Sequence, residues 1–142
     1  MKKCFAVLIF FYTIFLLYMM FFDSGREASD CFYFQLKPFY TIYIFFSDGH
    51  MKDKDFLVNI IGNIFAFSPF GWLGLCIRKF NRPFPITLFF IVIITLIEFT
   101  QYYTGRGVAD IDDVFLNTLG MMIGFRLRLA YQYSCYHRSF ST

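Results

Sequence analysis

The stretch GNIFAFSPFG, residues 62–71, lies inside a long apolar run and yet contains an amide, a proline and two glycines. Asn63 and Pro69 are both costly in a helix surrounded by hydrocarbon, because an amide loses its water there and proline removes a backbone hydrogen bond. Gly62 and Gly71 stand at the two ends of the stretch. The pattern predicts a bent helix that lines a cavity inside a helix bundle.

The composition of the whole chain is typical of a membrane protein. Of its 142 residues, 58% are hydrophobic, 24% are aromatic and only 16% are charged. Soluble domains have about 25% charged residues, and a soluble core of this size could not cover 23 Phe and 10 Tyr side chains. No linker or internal repeat divides the chain, so we predict a single domain over residues 1–142.

Four apolar stretches have about the 20 residues that a transmembrane helix needs. They predict an all-α, polytopic membrane protein, a small bundle with spans at about residues 4–22, 56–77, 84–104 and 111–131. We interpret the first as a retained anchor, with cleavage near Ser24 or Ala28 as the alternative. The aromatic segment 35–49 is either a short interfacial or re-entrant element or an ordinary ordered loop.

The basic residues predict the orientation of the four spans. Lys and Arg accumulate in cytoplasmic loops, and one side of the predicted bundle has Lys2, Lys3, Arg78, Lys79, Arg82, Arg126, Arg128 and Arg138. The other side has five basic residues and all 10 acidic ones. We therefore expect a multi-pass protein of the cell membrane with both termini in the cytoplasm. The basic residues flank spans rather than form a patch, so we expect no nucleic-acid binding.

Polar residues recur at helical spacing on three of the predicted spans, in the part of each span nearer the outside. Residues three or four apart share a helix face, and the rows are Asp55, Asn59 and Asn63, then Glu98 and Gln101, then Asp110, Asp113 and Asn117. Polar groups in a membrane face protein or water rather than lipid. The rows predict one shared ligand site that opens to the outside.

Plainer interpretations stand beside that prediction. The amides could be interhelical hydrogen-bond partners worth roughly 0.6–2 kcal/mol each. Glu98 could pair with Arg106. For Asp112 we favour a solvated charge at a helix N-terminus, whereas Asp113, one turn before Asn117, should face the site.

Glycine and proline are expected to shape the helices. Gly120 and Gly124 form a small-xxx-small pattern that lets a second helix approach closely and also permits a homodimer. Pro69 should kink the second span, with Ser68 as a local partner for a freed carbonyl. No His or Cys spacing typical of a metal site is present, and we expect no metal or cofactor.

The stretch IEFTQYYTGRGVADIDDVFLNTLGMMIGF, residues 97–125, resembles the signature of the VanZ-like membrane protein family. The matching positions are Glu98, Gln101, Arg106, Asp112, Asp113, Asn117, Gly120 and Gly124. NIIGNIFAFSPFGWLG, residues 59–74, resembles the second helix of that family, and QLKPFYTI, residues 35–42, resembles its Asn-Leu-Ile-Pro-Phe element. Gln35 and Lys37 depart from that element.

The resemblance implies a membrane location and a polar site, and the family is named for a protein linked to low-level resistance to teicoplanin. Our leading interpretation is a non-enzymatic envelope protein that binds membrane lipids, a lipid head group or a lipid-linked cell-wall precursor. In that interpretation Arg106 contacts an anion, while Asn63, Glu98, Gln101 and Asn117 orient hydroxyls or amides. One alternative is an intramembrane enzyme in which Glu98, Asp110 and Asp113 hold a divalent metal or Glu98 acts as a general base. The other is a small ion-coupled carrier.

Overall fold

The computed structural model describes residues 2–22, 34–35, 37, 39, 43, 53–105 and 109–138. Within these residues there are four α-helices, namely α1 (Lys2–Phe22), α2 (Asp53–Phe67), α3 (Pro83–Tyr103) and α4 (Ile111–Arg138). Two 3-10 helices, Ser68–Leu75 and Arg78–Asn81, connect α2 to α3. Strand β1 (Phe34–Gln35) pairs in parallel with strand β2 (Ala109–Asp110).

The helices of the predicted all-α fold are present, with two changes to their bounds. α1 and α3 match the first and third predicted spans. The predicted interruption of the second span at Pro69 is confirmed, because α2 ends at Phe67 and a 3-10 helix follows it. α4 continues past the predicted end at Tyr131 to Arg138.

Membrane character is indicated most clearly by two of these helices. In the described part of the chain, the segments Lys3–Phe22 and Pro83–Tyr103 are long and apolar enough to cross a bilayer, and Ile60–Leu75 is a shorter apolar helical segment. The four-span arrangement stays a prediction.

The transition from α2 to the first 3-10 helix follows from Pro69. Proline has no N–H to donate, so the carbonyl of Phe65 loses its partner in the α pattern, and that of Ala66 loses its partner in the 3-10 pattern. The Ser68 hydroxyl donates to Phe65 O at 3.0 Å, and the Tyr12 hydroxyl donates to Ala66 O at 2.7 Å. The predicted role of Ser68 is confirmed, and Tyr12 supplies a second partner that the sequence did not reveal.

One face of α3 forms much of the core. Its buried apolar residues recur every four positions, at Ile86, Phe90 and Ile94. They pack in one cluster with Phe67 of α2 and with Met121 and Phe125 of α4. Because the same face continues toward the end of α3, the next buried positions on it are polar, and they belong to the candidate site.

α4 packs against α2 and the first 3-10 helix at close range. A Cβ added at Gly120 would lie 2.8 Å from Ile64 Cα, and one added at Gly124 would lie 2.7 Å from the Ser68 carbonyl carbon. The contacts advance in the same direction along both segments, so α2 and α4 run parallel. The start of α4 therefore lies at the same end of the bundle as Asn63.

α1 lies at the periphery. Among its described side chains only Ile9 is buried, and large apolar side chains such as Phe10 and Phe15 are exposed. Its hydrogen bonds to the rest of the bundle include one from Tyr12 to Ala66 O and one from Gln101 to Met20 O. A helix with this much exposed apolar surface suits a lipid environment.

Candidate functional site: the polar end of the bundle

The predicted polar rows of α2 and α4 meet directly. Asn63 Nδ2 donates to Asp113 Oδ1 at 3.1 Å, and both side chains are half-buried. Asp113 stands in the first turn of α4, where the helix dipole favours a carboxylate. This pair joins two helices at one end of the bundle, which we call the polar end and define by Asn63, Glu98, Gln101, Asp110, Asp112, Asp113 and Asn117.

α3 contributes two buried polar side chains to the polar end. Glu98 is 5% exposed and Gln101 is 4% exposed, one and two turns beyond Ile94 on the buried face of the helix. The Gln101 side-chain amide donates to Met20 O at 2.9 Å. Gln101 therefore attaches α1 to α3. This agrees with the interpretation of the amides as interhelical hydrogen-bond partners.

Asp110 begins α4. Its Oδ1 accepts the backbone N–H of Asp112 at 2.9 Å, which is the bond that an N-cap aspartate makes to the second helical residue. β2, which contains Asp110, also contacts α3. This arrangement brings the end of α3 and the start of α4 together, so Glu98 and Asp113 lie at the same end of the bundle.

The preference for a solvated Asp112 is wrong. Asp112 is 4% exposed, and its Oδ1 accepts the backbone N–H of Phe39 at 2.6 Å. Phe39 has a φ of 61°, in the left-handed region that costs a non-glycine residue about 1–3 kcal/mol. Its ring packs edge-on against Phe115 of α4 at 5.8 Å. The carboxylate of Asp112 thus holds part of the first loop over the start of α4.

Most of the predicted interfacial element, residues 35–49, lies outside the described residues. The described part contains the β1–β2 pairing and a backbone hydrogen bond from Tyr43 N to Phe39 O at 2.7 Å. The pairing attaches the first loop to the segment before α4, an interaction that the spacing of polar residues did not predict.

Asn117 is the most deeply enclosed amide of the polar end. It is 1% exposed, one turn after Asp113, and its Oδ1 has no hydrogen-bond partner among the described residues. The neighbouring Thr118 hydroxyl is also buried without a partner there. An unsatisfied buried polar group costs about 1–3 kcal/mol. Asn117 is therefore a buried amide whose carbonyl oxygen no described residue satisfies.

The glycines predicted to shape the helices divide into two groups. A Cβ at Gly71, Gly120 or Gly124 would collide with backbone atoms of a neighbouring segment, whereas one at Gly62 would meet nothing within 4 Å. The small-xxx-small face of α4 is thus covered by α2 and the first 3-10 helix of the same chain. A homodimer, if one forms, requires another surface.

Arg128 was interpreted as a flank of the last span, yet it is fully buried. Its guanidinium donates to Asn81 Oδ1 at 2.6 Å and lies over the Phe125 ring at 4.8 Å from the centroid. A Cβ at Gly74 would collide with this guanidinium. The sequence held a signal for this, because Gly120, Gly124 and Arg128 follow one another at four-residue spacing.

Two predicted site residues cannot be placed. Arg106 lies outside the described residues, and for Asn59 the structure describes the helix but not the side chain. Among the side chains that are described, no group of three or more His, Cys, Asp or Glu residues is arranged to hold a metal ion.

A family model described as VanZ/LLP1 matches residues 9–132 of the chain. The chain belongs to the VanZ/LLP1 family. The match covers most of the chain and contains the whole polar end, including its contacts with α1. No curated protein and no solved structure matched this VanZ/LLP1 protein.

Proposed function

We propose that this VanZ/LLP1 protein is a four-span protein of the cell envelope, with both termini in the cytoplasm. Its polar end binds the polar head group of a lipid in the outer leaflet, with a lipid-linked cell-wall precursor as the leading candidate. Binding to such a precursor is one route to the teicoplanin resistance for which the family is named, since glycopeptides act on the same molecules.

The observation that carries the proposal is the convergence of polar side chains from three helices. Asn63 and Asp113 are hydrogen-bonded across α2 and α4, and Glu98 is buried at the same end of α3. Simple interhelical pairing accounts for Asn63 and Gln101, because each has a protein partner. It does not account for Asn117, whose carbonyl oxygen is enclosed and has no partner among the described residues.

The chemistry of these groups suits a ligand rich in hydroxyls and amides. Carboxylates accept hydrogen bonds, and amides both donate and accept them. In a site with little water such bonds are electrostatically stronger than at an exposed surface. The predicted anion contact of Arg106 would complement this set where the head group also has a phosphate.

The proposal is tested by retention of a lipid-linked cell-wall precursor by the purified protein in nanodiscs. Replacing Asn117 by Leu removes one ligand hydrogen bond of about 1 kcal/mol, which corresponds to roughly a fivefold loss of affinity. Arg106→Ala should weaken retention as well. Thr100→Val is the matched control, because Thr100 is exposed near the same end of α3 and its hydroxyl donates to Leu96 O in its own helix.

Equal retention by wild type, Asn117→Leu and Arg106→Ala would contradict the proposal. A parallel series with an ordinary phospholipid of the same chain length separates precursor recognition from general lipid binding. Selective retention of the precursor supports the leading candidate, and equal retention of both lipids would overturn it.

A further inference from the structure

A second feature of the molecule is an apolar cavity of about 240 Å³ between α1, α3 and the first 3-10 helix. It is lined on one side by α1 and on the other by α3, with side chains that include Ile9, Thr13, Leu17, Phe90, Ile94 and Ile97. The cavity follows α1 from Ile9 to Met20, a rise of roughly 16 Å at 1.5 Å per residue.

The lining gives water almost nothing to bind. Among the described lining residues only Thr13 has a hydroxyl, and that hydroxyl donates to Ile9 O in its own helix at 2.7 Å. A buried water needs about two to four polar partners, and apolar cavities without them stay dry. An apolar occupant is therefore favoured over water.

The cavity is large enough for a segment of hydrocarbon chain. An apolar cavity of about 150 Å³ in another protein accommodates benzene, with six carbons, so 240 Å³ corresponds by proportion to roughly ten carbons. The outer faces of both walls are exposed and apolar, for example at Phe15 of α1 and Val92 of α3. In a bilayer the material next to these faces is lipid.

One end of the cavity adjoins the polar end of the bundle. Met20 lines the cavity, and its carbonyl accepts the hydrogen bond from Gln101. Ile97 also lines it and directly precedes the buried Glu98. A molecule that occupied both the polar end and the cavity would be polar at one end and apolar along its length, as a lipid is.

We propose that this cavity binds the hydrocarbon chain of the lipid whose head group occupies the polar end. The inference rests on the proposed function for the identity of the head group. For the chain it rests on the size, the dry lining and the position of the cavity.

The test uses the full-length protein in nanodiscs that contain a phospholipid with a photoactivatable diazirine on one acyl chain. After irradiation, mass spectrometry identifies the labelled residues. We expect labelling of the lining residues Phe90 and Ile94 in addition to the exposed residues Ile91 and Val92. An excess of unlabelled lipid should suppress the lining signal first, because a bound chain saturates and bulk contact does not.

Two variants fill the cavity from opposite walls. Leu17→Trp acts from α1 and Ile97→Phe acts from α3, and each should abolish labelling of the lining while the exposed faces stay labelled. Ile14→Trp is the control, since Ile14 is 49% exposed and does not line the cavity. A thermal melt of each variant shows whether it is folded. If one of the two variants is unfolded, the variant on the other helix provides the test.

Lining labels that are absent in wild type, or that persist unchanged in the filled variants, would overturn the inference. The chain-labelled phospholipid reports on the cavity whether or not the precursor binds, so the two proposals fail separately. Asn117→Leu should leave the lining labels intact while it reduces precursor retention.

Discussion

The two sides of the bundle are packed in opposite ways. α4 meets α2 and the first 3-10 helix through Gly71, Gly120 and Gly124, so closely that no Cβ would fit at these positions. α1 meets α3 and the same 3-10 helix across a cavity of about 240 Å³. We call the first the closed interface and the second the open interface.

The difference indicates that the two interfaces have different roles. The closed interface fixes backbone against backbone, so it holds Asp113 and Asn117 in place relative to Asn63 without relying on flexible side chains. The open interface is attached mainly by Tyr12 and Gln101, both of which bond to backbone carbonyls. The first therefore specifies the fold, and the second leaves room for a lipid.

The closed interface should be the most sensitive part of the molecule. Gly124→Leu places a branched side chain against the Ser68 backbone, and overpacking of this kind costs about 3 kcal/mol or more where backbone must move. We expect little folded, monodisperse protein by size-exclusion chromatography in detergent. If Gly124→Leu had the yield and melting temperature of wild type, the two backbones could not be as close as this at Gly124.

At the other end of the same interface, Gly74→Ala should displace the buried guanidinium of Arg128. The expected loss is about 1–3 kcal/mol, measured by thermal or denaturant unfolding. Because the clash involves the Arg128 side chain, Arg128→Met should cost less in the Gly74→Ala background than in the wild type. Strict additivity of the two changes would indicate that the two residues are not in contact.

On the open interface, Tyr12→Phe removes the hydrogen bond to Ala66 O, next to Pro69. We expect a loss of about 1 kcal/mol in the free energy of unfolding. Tyr18→Phe is the comparison, because Tyr18 is 59% exposed on the same helix and should be neutral. Equal effects at both positions would show that the Tyr12 hydrogen bond to Ala66 O does not stabilise the protein.

The smallest change in stability is expected for Gly62→Ala, and its sign should be opposite to that for Gly120→Ala. Gly62→Ala meets open space and replaces glycine within a helix, so it should be neutral or stabilise by about 0.5–1 kcal/mol. Gly120→Ala meets the Ile64 backbone and should destabilise the protein. The two alanine variants, melted side by side, separate a packing glycine from an incidental one.

Much of this arrangement could be predicted from residue spacing. The length of the apolar runs predicted α1 and α3, and the four-residue rows brought Asn63 and Asp113 to one end, because helical periodicity is a local property. Pro69 marked the end of α2. The likeness of residues 97–125 to VanZ-like proteins agreed with the family match.

What could not be predicted depends on contacts between distant segments. The Tyr12 hydroxyl bonds to Ala66 O just before the 3-10 helix, and nothing in the local sequence marks Tyr12 as the partner of this carbonyl. The carboxylate of Asp112 is bonded to the backbone N–H of Phe39, which is 73 residues away in sequence. Arg128 was misjudged because a charge near a span end is usually solvated, whereas here Asn81 and Gly74 enclose it.

The most direct test of the central claim is the thermal shift caused by the lipid-linked precursor. A ligand at about 100 times its Kd stabilises a folded protein by about 2.7 kcal/mol. We predict that the precursor raises the melting temperature of wild type and of Thr100→Val equally. At the same concentration it should stabilise Asn117→Leu by about 1.8 kcal/mol instead, because the affinity of this variant is roughly fivefold weaker. An equal rise in all three proteins, or none in wild type, would contradict the assignment of the polar end as the ligand site.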